Sequence, residues 1–449
     1  MEHNWMNMIS AHTPATYEGA LPAAVDFAII GGGIIGLSAA LSLKECGFSV
    51  AVLEKGRVGG EQSSRNWGWI RKLGRDAAEI PLMIRAGQLW QDMETRVGAS
   101  IGYREEGIIY LSRNDKEQAA RYRHFETAQQ FEIPVERLSA AHVEQQIQGL
   151  PGYWREGIKS PTDARVEPLL AMPAIARHAK SAGIIIRENC AVRGLEKSAG
   201  KISGVICEAG TVRAGAVLLA GGSWTGLFLE RYGIRFPQLS VRASVARTRP
   251  LPSVYAGCAS DPALAFRREE NGGYVVALTD HSDFFLGPSA FKNTRLFAKS
   301  AWGSRGSLYL KPAAPSGFPD AWTTRRTWRD DQTSPFEKNR VLSPAPWSGL
   351  VPQLQKRIAE RFPALKDVEI AEAWAGMIDT MPDTVPTIDS VPGMEGLWVA
   401  SGFSGHGFGI GPAVGEVLAN LMQNRETGYD LTRFRFNRFT DGSVIEPGP

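Results

Sequence analysis

A chain of 449 residues exceeds the size at which a single hydrophobic core keeps growing, so two domains are expected. With 43% hydrophobic and 22% charged residues it has an ordinary globular composition, and a net charge of only +3 excludes the one-signed field that nucleic acid or an anionic membrane would recruit. The four cysteines, Cys46, Cys190, Cys207 and Cys258, show no CxxC spacing. Neither a zinc site nor a disulfide framework is legible, no metal is expected, and a reducing cytoplasm is the default compartment.

Residues 1–24 lack a basic start followed by an apolar run and read as a loose N-terminal extension. No apolar stretch anywhere in the chain reaches the roughly 18 residues that span a bilayer. From Asp26 to Lys55 the period then changes twice: Phe27 to Ile30 is an apolar run suited to a buried parallel strand, Ile34 to Cys46 has helical spacing, and Ser49 to Leu53 is apolar again. Gly31, Gly33 and Gly36 form GxGxxG at the strand-to-helix turn. The first permits the turn, the second lets backbone approach a pyrophosphate, and the third packs helix on strand. Glu54, at the end of the second strand, is placed to accept hydrogen bonds from both hydroxyls of an adenosine ribose, which favours an unphosphorylated ribose. This motif points to an adenine dinucleotide and leaves FAD and NAD undivided.

Further along, GRVGGEQSSRNWGWI at 56–70 is an irregular segment whose N–H groups and hydroxyls suit a ligand. Helices are expected over Pro81–Val97, Asp115–Phe131 and Glu167–Ala182, with strands at Ile184–Arg187 and Ala216–Ala220. From Val241 to Phe362 few windows are helical and Pro, Gly, Arg and Trp abound, which predicts an antiparallel sheet with long loops. GLWVASG at 396–402 reads as one more buried strand, followed by FSGHGFGIGPAVGEVL at 403–418, with a helix beginning near Pro412. The fold class is α/β, α+β overall: a discontinuous Rossmann-like dinucleotide domain (25–85, 155–240 and 365–430) and a substrate domain on a mixed or antiparallel sheet with helices (86–154 and 241–364).

Four motifs in order, IIGGGIIGLSAALSL, GGEQSSRNWGWIR, VRAGAVLLAGGSW, and GMIDTMPDTVPTI with FSGHGFGIGPAVGEVLA, give the chain a resemblance to the D-amino-acid-oxidase-like family of FAD-dependent oxidoreductases, nearest its sarcosine oxidase and glycine oxidase branch. The resemblance implies that Gly31, Gly33, Ile34, Ile35 and Gly36 hold the pyrophosphate, and Glu54 and Lys55 the ribose end. Ser63, Ser64, Arg65, Trp67, Gly68 and Trp69 would run along phosphates and flavin. Val192 would meet adenine, and Gly221, Gly222 and Trp224 would close over the dinucleotide. Gly405, His406, Gly407 and Phe408 would line the isoalloxazine ring. Gly376 stands where several relatives carry a flavin-linking cysteine, so FAD is expected to bind non-covalently. Gly409 stands where sarcosine oxidase carries a carboxylate-binding lysine.

The implied reaction is hydride transfer from a carbon bearing nitrogen to flavin N5, giving an imine that water hydrolyses. Arg71 aligns with the family's carboxylate-binding arginine, and a planar guanidinium grips an anion by two hydrogen bonds; the alternative is a solvated arginine in a basic run with Lys72 and Arg75. His406 is a candidate donor to the flavin or a tie within its own loop. Arg242, Arg267, Arg268, Arg325 and Arg326 are further candidate anchors from the second domain, with ordinary surface charge as the alternative, and His281 and Lys292 are candidates for a cation that assists oxygen. Partners are therefore a small-molecule amine bearing an anionic group and oxygen or another electron acceptor, with no nucleic acid and no membrane span, and a homo- or hetero-oligomer left open. Two other readings remain: the flavoprotein subunit of a dehydrogenase with a non-oxygen acceptor, and an NAD-dependent hydroxy-acid dehydrogenase.

Overall fold

The computed structural model describes residues 7–446 and 448. The apolar run at the front of the chain forms a strand, Ala24–Ile30 (β1), that enters helix Ile34–Glu45 (α1) and returns as strand Val50–Leu53 (β2). β1 is buried on both faces over its second half, which is why it reads as continuous hydrophobe rather than alternation. It pairs in parallel with β2 on one side and with strand Gly210–Leu219 on the other, so Ile30 faces both Leu53 and Leu219. Leu397–Ser401 extends the parallel core beyond Leu219, Thr387–Ser390 adds an antiparallel edge, and Ile185–Arg187 closes the opposite side beyond β2. The hairpin of Val192–Ser198 and Lys201–Cys207 attaches to the first half of Gly210–Leu219.

One face of this sheet is covered by α1, by Pro168–Ser181 and by the C-terminal helix Gly407–Met422, whose Val414, Val417 and Leu418 share a core with Leu37 and Leu41. Glycine makes that approach close: a Cβ on Gly415 would lie 2.5 Å from the carbonyl carbon of Ser38. The helix starts at Gly407, five residues before the expected place, and Pro412 sits inside it. Proline is therefore no marker of the helix start in this loop.

The second sheet has ten strands, and its spine is Leu239–Thr248. Ile370–Thr380 runs antiparallel along its whole length, from Leu239 opposite Thr380 to Thr248 opposite Ile370. Tyr274–Ala277 and Ser282–Phe285 share the other edge of that spine, and the sheet continues through Ala265–Arg268, Cys258–Ser260, Ile108–Ser112 and Glu156–Ser160 to Glu136–Ser139. Two neighbouring pairs, Cys258–Ser260 with Ile108–Ser112 and Ser282–Phe285 with Leu308–Lys311, are parallel, so the sheet is mixed.

Several segments differ from the sequence reading. Glu156–Ser160 and Ile370–Thr380, grouped by pattern with the dinucleotide domain, pair in the second sheet, because a strand's partners are set by long-range register that local periodicity does not carry. Val241–Phe362 holds two substantial helices, Pro288–Gly303 and Leu350–Arg361, in a stretch expected to have few; the first is exposed along most of its length, with only Asn293 fully buried. The described part of the N-terminal extension is tied down rather than loose. Tyr17 is buried in the core, its N–H donates to Glu188 at 3.1 Å, and the Ile9 carbonyl accepts from Arg65 at 2.8 Å.

Candidate active site

Where β1 ends, Gly31 adopts φ +110°, and a Cβ there would fall 2.4 Å from the Ala220 carbonyl oxygen. A Cβ on Gly36 would sit 2.0 Å from the Gly31 oxygen, so this glycine lets helix pack on turn. On Gly33 a Cβ would meet only the Ser63 hydroxyl, at 3.1 Å, and would project into an open cleft. The three glycines thus do three separable things. Ser63 Oγ accepts from the Ile34 N–H at 2.9 Å, so the free helix N-terminus already shows affinity for an oxygen acceptor.

The cleft encloses about 1240 Å³ of empty space, its open mouth included. It runs from Gly31, Gly33, Ile34 and Ile35 past Glu54 and Lys55 to Ser63, Val192, Gly221, Gly222 and Trp224, and on to Gly405, Gly407 and Phe408. Glu54 accepts from the N–H groups of Gly32 (2.8 Å) and Gly56 (2.7 Å), and burial raises its carboxyl against the pull of Lys55 and these N–H groups. Lys55 Nζ is spent on Glu61 (2.6 Å) and the carbonyls of Asn339 and Arg340, and Glu61 in turn accepts from the Trp224 indole at 3.1 Å.

Other residues of the irregular segment stand behind the cleft. Ser64 and Arg65 are buried, and Arg65 donates to Gly60, Ala375, Ile9 and Ser343, joining three distant stretches of chain. Trp67 and Trp69 meet edge-on with ring centroids 5.4 Å apart, and Gly68, at φ +73°, would place a Cβ 2.3 Å from the Val166 carbonyl. The Trp67 carbonyl accepts from buried Arg267, which grips Glu167 with both arms at 2.7 and 2.9 Å. Gly376 lies in strand Ile370–Thr380, where a Cβ would collide with the Gln62 amide; among the described residues no cysteine lines the cleft.

At the end of the cleft formed by Gly405, Gly407 and Phe408, His406 precedes the first turn of helix Gly407–Met422 and is tied on both nitrogens. Nδ1 lies 2.9 Å from Glu79 Oε2, and Nε2 lies 3.1 Å from Arg71 Nη2. A guanidinium only donates, so Nε2 presents its lone pair and the proton sits on Nδ1 toward the carboxylate. Burial, with Arg75 and Arg71 nearby, lowers the His406 imidazole against the opposing pull of Glu79, and the ring is neutral at physiological pH. Burial would raise fully buried Glu79, but His406, Arg75 and Arg71 outweigh it and keep the carboxylate charged. Arg71 also donates to the carbonyls of Leu73 (2.6 Å) and Gly74 (2.7 Å), leaving part of its fork uncommitted. A Cβ on Gly409 would find the Arg75 guanidinium at 3.1 Å and the Trp69 carbonyl at 3.3 Å, so Arg75 occupies the space beside this glycine.

Beside the GHG loop lies a carboxyl that sequence reasoning passed over. Asp379 lines the cleft and accepts from the Gly402 N–H (2.7 Å), the Ser401 hydroxyl (3.3 Å) and the Gln238 amide (3.3 Å). The single Ser401 hydroxyl proton is shared with the nearer Gly222 carbonyl (3.0 Å), to which Gln238 also donates, so the acid is tied to the Gly221–Gly222 loop. Burial pushes Asp379 up to about 6. Its sequence signal is its place in the GMIDTMPDTVPTI motif, which named no role for it.

The remaining candidates lie elsewhere. His281 is stacked between Tyr309 and Trp347, and Lys292 pairs with Glu230 on an exposed helix; neither borders the cleft. Arg242 pairs with Asp283, Arg326 with Glu230 and Asp320, Arg325 with Gln332, and Arg268 with the Leu251 carbonyl.

A parallel-cored sheet with a glycine turn, an acid closing the second strand and one cleft running to a distant helix N-terminus define a dinucleotide-binding protein with a second sheet beside it. The chain belongs to the family described as DAO, FAD dependent oxidoreductase, whose family model matches residues 26–421. It is 25% identical to glycine oxidase of Pseudomonas aeruginosa over 89% of this chain and 94% of that one. It is equally 25% identical to N-methyl-L-tryptophan oxidase of Citrobacter koseri, over 92% and 99%. The structure of L-amino acid deaminase from Proteus myxofaciens in complex with anthranilate superposes with a TM-score of 0.89 at 30% identity, covering 95% of this chain and 96% of that one. The protein is thus an FAD-dependent oxidoreductase of amino acids or amines, and the choice that the glycine motif left open falls to FAD over NAD. No helix among the described residues is long and apolar enough to cross a membrane.

Proposed function

We propose that the protein oxidises the C–N bond of a small primary or secondary amine that carries an anionic group, an amino acid or N-methyl amino acid, on non-covalently held FAD. The observation that carries this reading is Arg71: a half-buried guanidinium without a carboxylate partner among the described residues, hydrogen-bonded to His406 at the ring end of the cleft. The relatives named glycine oxidase, N-methyl-L-tryptophan oxidase and L-amino acid deaminase support the same substrate class.

In this reading Gly31 to Gly36 hold the pyrophosphate, Glu54 the ribose, Val192 and the Gly221–Trp224 loop the adenosine side, and Gly405 to Phe408 the ring. FAD, when bound, supplies the acceptor for the hydride that leaves the carbon bearing nitrogen. Arg71 binds the substrate's anionic group and fixes its orientation, while the Glu79–His406 pair holds the arginine in place. The free N–H groups that open helix Gly407–Met422 favour negative charge on the ring beside them. The domain division, dinucleotide unit first and substrate unit second, belongs to the same proposal, with Glu156–Ser160 and Ile370–Thr380 counted in the substrate unit.

Anaerobic mixing of the flavoprotein with amino acids, N-methyl amino acids and uncharged amines tests the proposal by loss of flavin colour; admitting air then separates fast recovery, an oxidase, from slow recovery, a dehydrogenase. Bleaching by uncharged amines alone would refute the anionic requirement. Arg71→Ala is expected to weaken an anionic substrate by roughly 10- to 100-fold, read as KM, with little change for an uncharged amine.

A further inference from the structure

The helix Asp115–Gln130 places Arg121, His124, Phe125 and Ala128 on one stripe. Phe125 and Ala128 are buried on it, so this is the inward face, yet its first two positions hold an arginine and a histidine, both half-buried. Charged side chains turned inward are ordinarily paired. Arg121 has no hydrogen bond or ion pair among the described residues; its guanidinium carbon lies 4.9 Å from the Tyr110 ring, and Asp261 and Glu117 act on it only from further away. The His124 ring lies 6.2 Å from the same tyrosine.

Tyr110 connects this pair to the ring end of the cleft. Its hydroxyl reaches the Leu73 carbonyl at 3.5 Å, the carbonyl that also takes an Arg71 N–H at 2.6 Å. Arg71 and Arg121 are therefore separated by one tyrosine. The acids nearby are already engaged: Glu79 with His406 and Arg75, Asp163 with Lys72, Glu117 with Arg113. Neither guanidinium has a carboxylate within ion-pair distance among the described residues, Glu79 acting on Arg71 and Asp261 and Glu117 on Arg121 only from further away, and burial together with Arg121 and Arg71 holds His124 neutral, lowered to about 4.

We infer that Arg121, with Tyr110 and His124 beside it, forms a second anion subsite next to Arg71, so that the amine oxidised here carries two acidic groups, as in a dicarboxylic amino acid or its N-substituted relative. This rests on the reading of Arg71 as anchor for the first anionic group. The second group settles against the Arg121 fork and the neutral His124, which can donate from a ring nitrogen without adding charge.

Calorimetric titration of the FAD-loaded protein with two unreactive ligands, glutarate and butyrate, tests the inference without turnover. Glutarate is expected to bind at least roughly tenfold tighter than butyrate, and Arg121→Met to abolish that advantage while leaving butyrate unchanged. Methionine keeps an apolar stem against Tyr110, and Arg121→Lys, which keeps the charge, is expected to restore part of the preference. Equal affinities in the parent protein, or an equal loss of both ligands in Arg121→Met, would overturn the inference while leaving Arg71 as anchor. Failure of both ligands to bind would overturn it together with the reading on which it rests. Should Arg121→Met not fold, the selectivity of the parent protein and the lysine variant still decide.

Discussion

Individual residues at this site are tuned by burial more than by exposed charge. Asp379 has an ordinary value of 3.8 and is pushed up to about 6, so between these values the folded chain binds more protons than the unfolded one. Stability therefore falls as pH rises through that window and is flat above it, with up to about 3 kcal/mol at stake. Asp379→Asn is expected to flatten this slope in denaturation measured from pH 4 to 7; an unchanged slope would show that the acid titrates normally. Legibility at this scale was uneven. Gly31, Gly33, Gly36, Glu54 and Arg71 belong to short motifs whose spacing encodes their geometry. Asp379, Glu79 and Arg121 matter through contacts across 23, 327 and 11 residues of chain, with Gly402, His406 and Tyr110; Asp379 lies in the GMIDTMPDTVPTI motif, but local spacing encodes none of these partners. Arg121 did leave one trace, its place on the inward stripe of a helix that the sequence had already located.

Among elements, the turn between β1 and α1 separates folding from binding. Gly36→Ala drives a methyl into the Gly31 carbonyl and is expected to cost about 1–3 kcal/mol, lowering both the melting temperature and the flavin retained on purification. Gly33→Ala meets only a serine hydroxyl and is expected to fold with near-parent stability while its flavin-to-protein absorbance ratio drops. If the two variants lose flavin and stability in parallel, the division of labour is wrong. Helices α1 and Asp115–Gln130 could be placed from the chain directly, the first by its small and apolar residues following the glycine turn, the second by its charged face. Ile370–Thr380 could not be assigned to its sheet, because its partner Leu239–Thr248 lies more than a hundred residues away.

Across the whole molecule, Arg65 is the junction. It bonds the N-terminal segment at Ile9, its own irregular segment at Gly60, the second sheet at Ala375 and the loop at Ser343. Arg65→Met leaves these acceptors facing a buried thioether and is expected to cost about 3 kcal/mol or more in chemical denaturation. FAD at a hundred times its Kd should return about 2.7 kcal/mol to parent and variant alike if Arg65 serves the frame rather than the cofactor. A smaller return in the variant would place Arg65 in cofactor binding after all.

The glycine at 409 carries a consequence for how this site can change. The Arg75 guanidinium stands 3.1 Å from where its Cβ would be, and that arginine is itself held by the His406 carbonyl and by Glu79. Arg75 and a cationic side chain at 409 are therefore alternatives for one space, and neither can replace the other in a single step. Gly409→Lys alone would set two cations against each other, and loss of Arg75 alone would leave buried Glu79 without its ion-pair partner, held by His406 alone. The two positions form an epistatic pair: chains that carry a lysine at 409 should lack the arginine at 75, and a graft between them succeeds only as a double exchange.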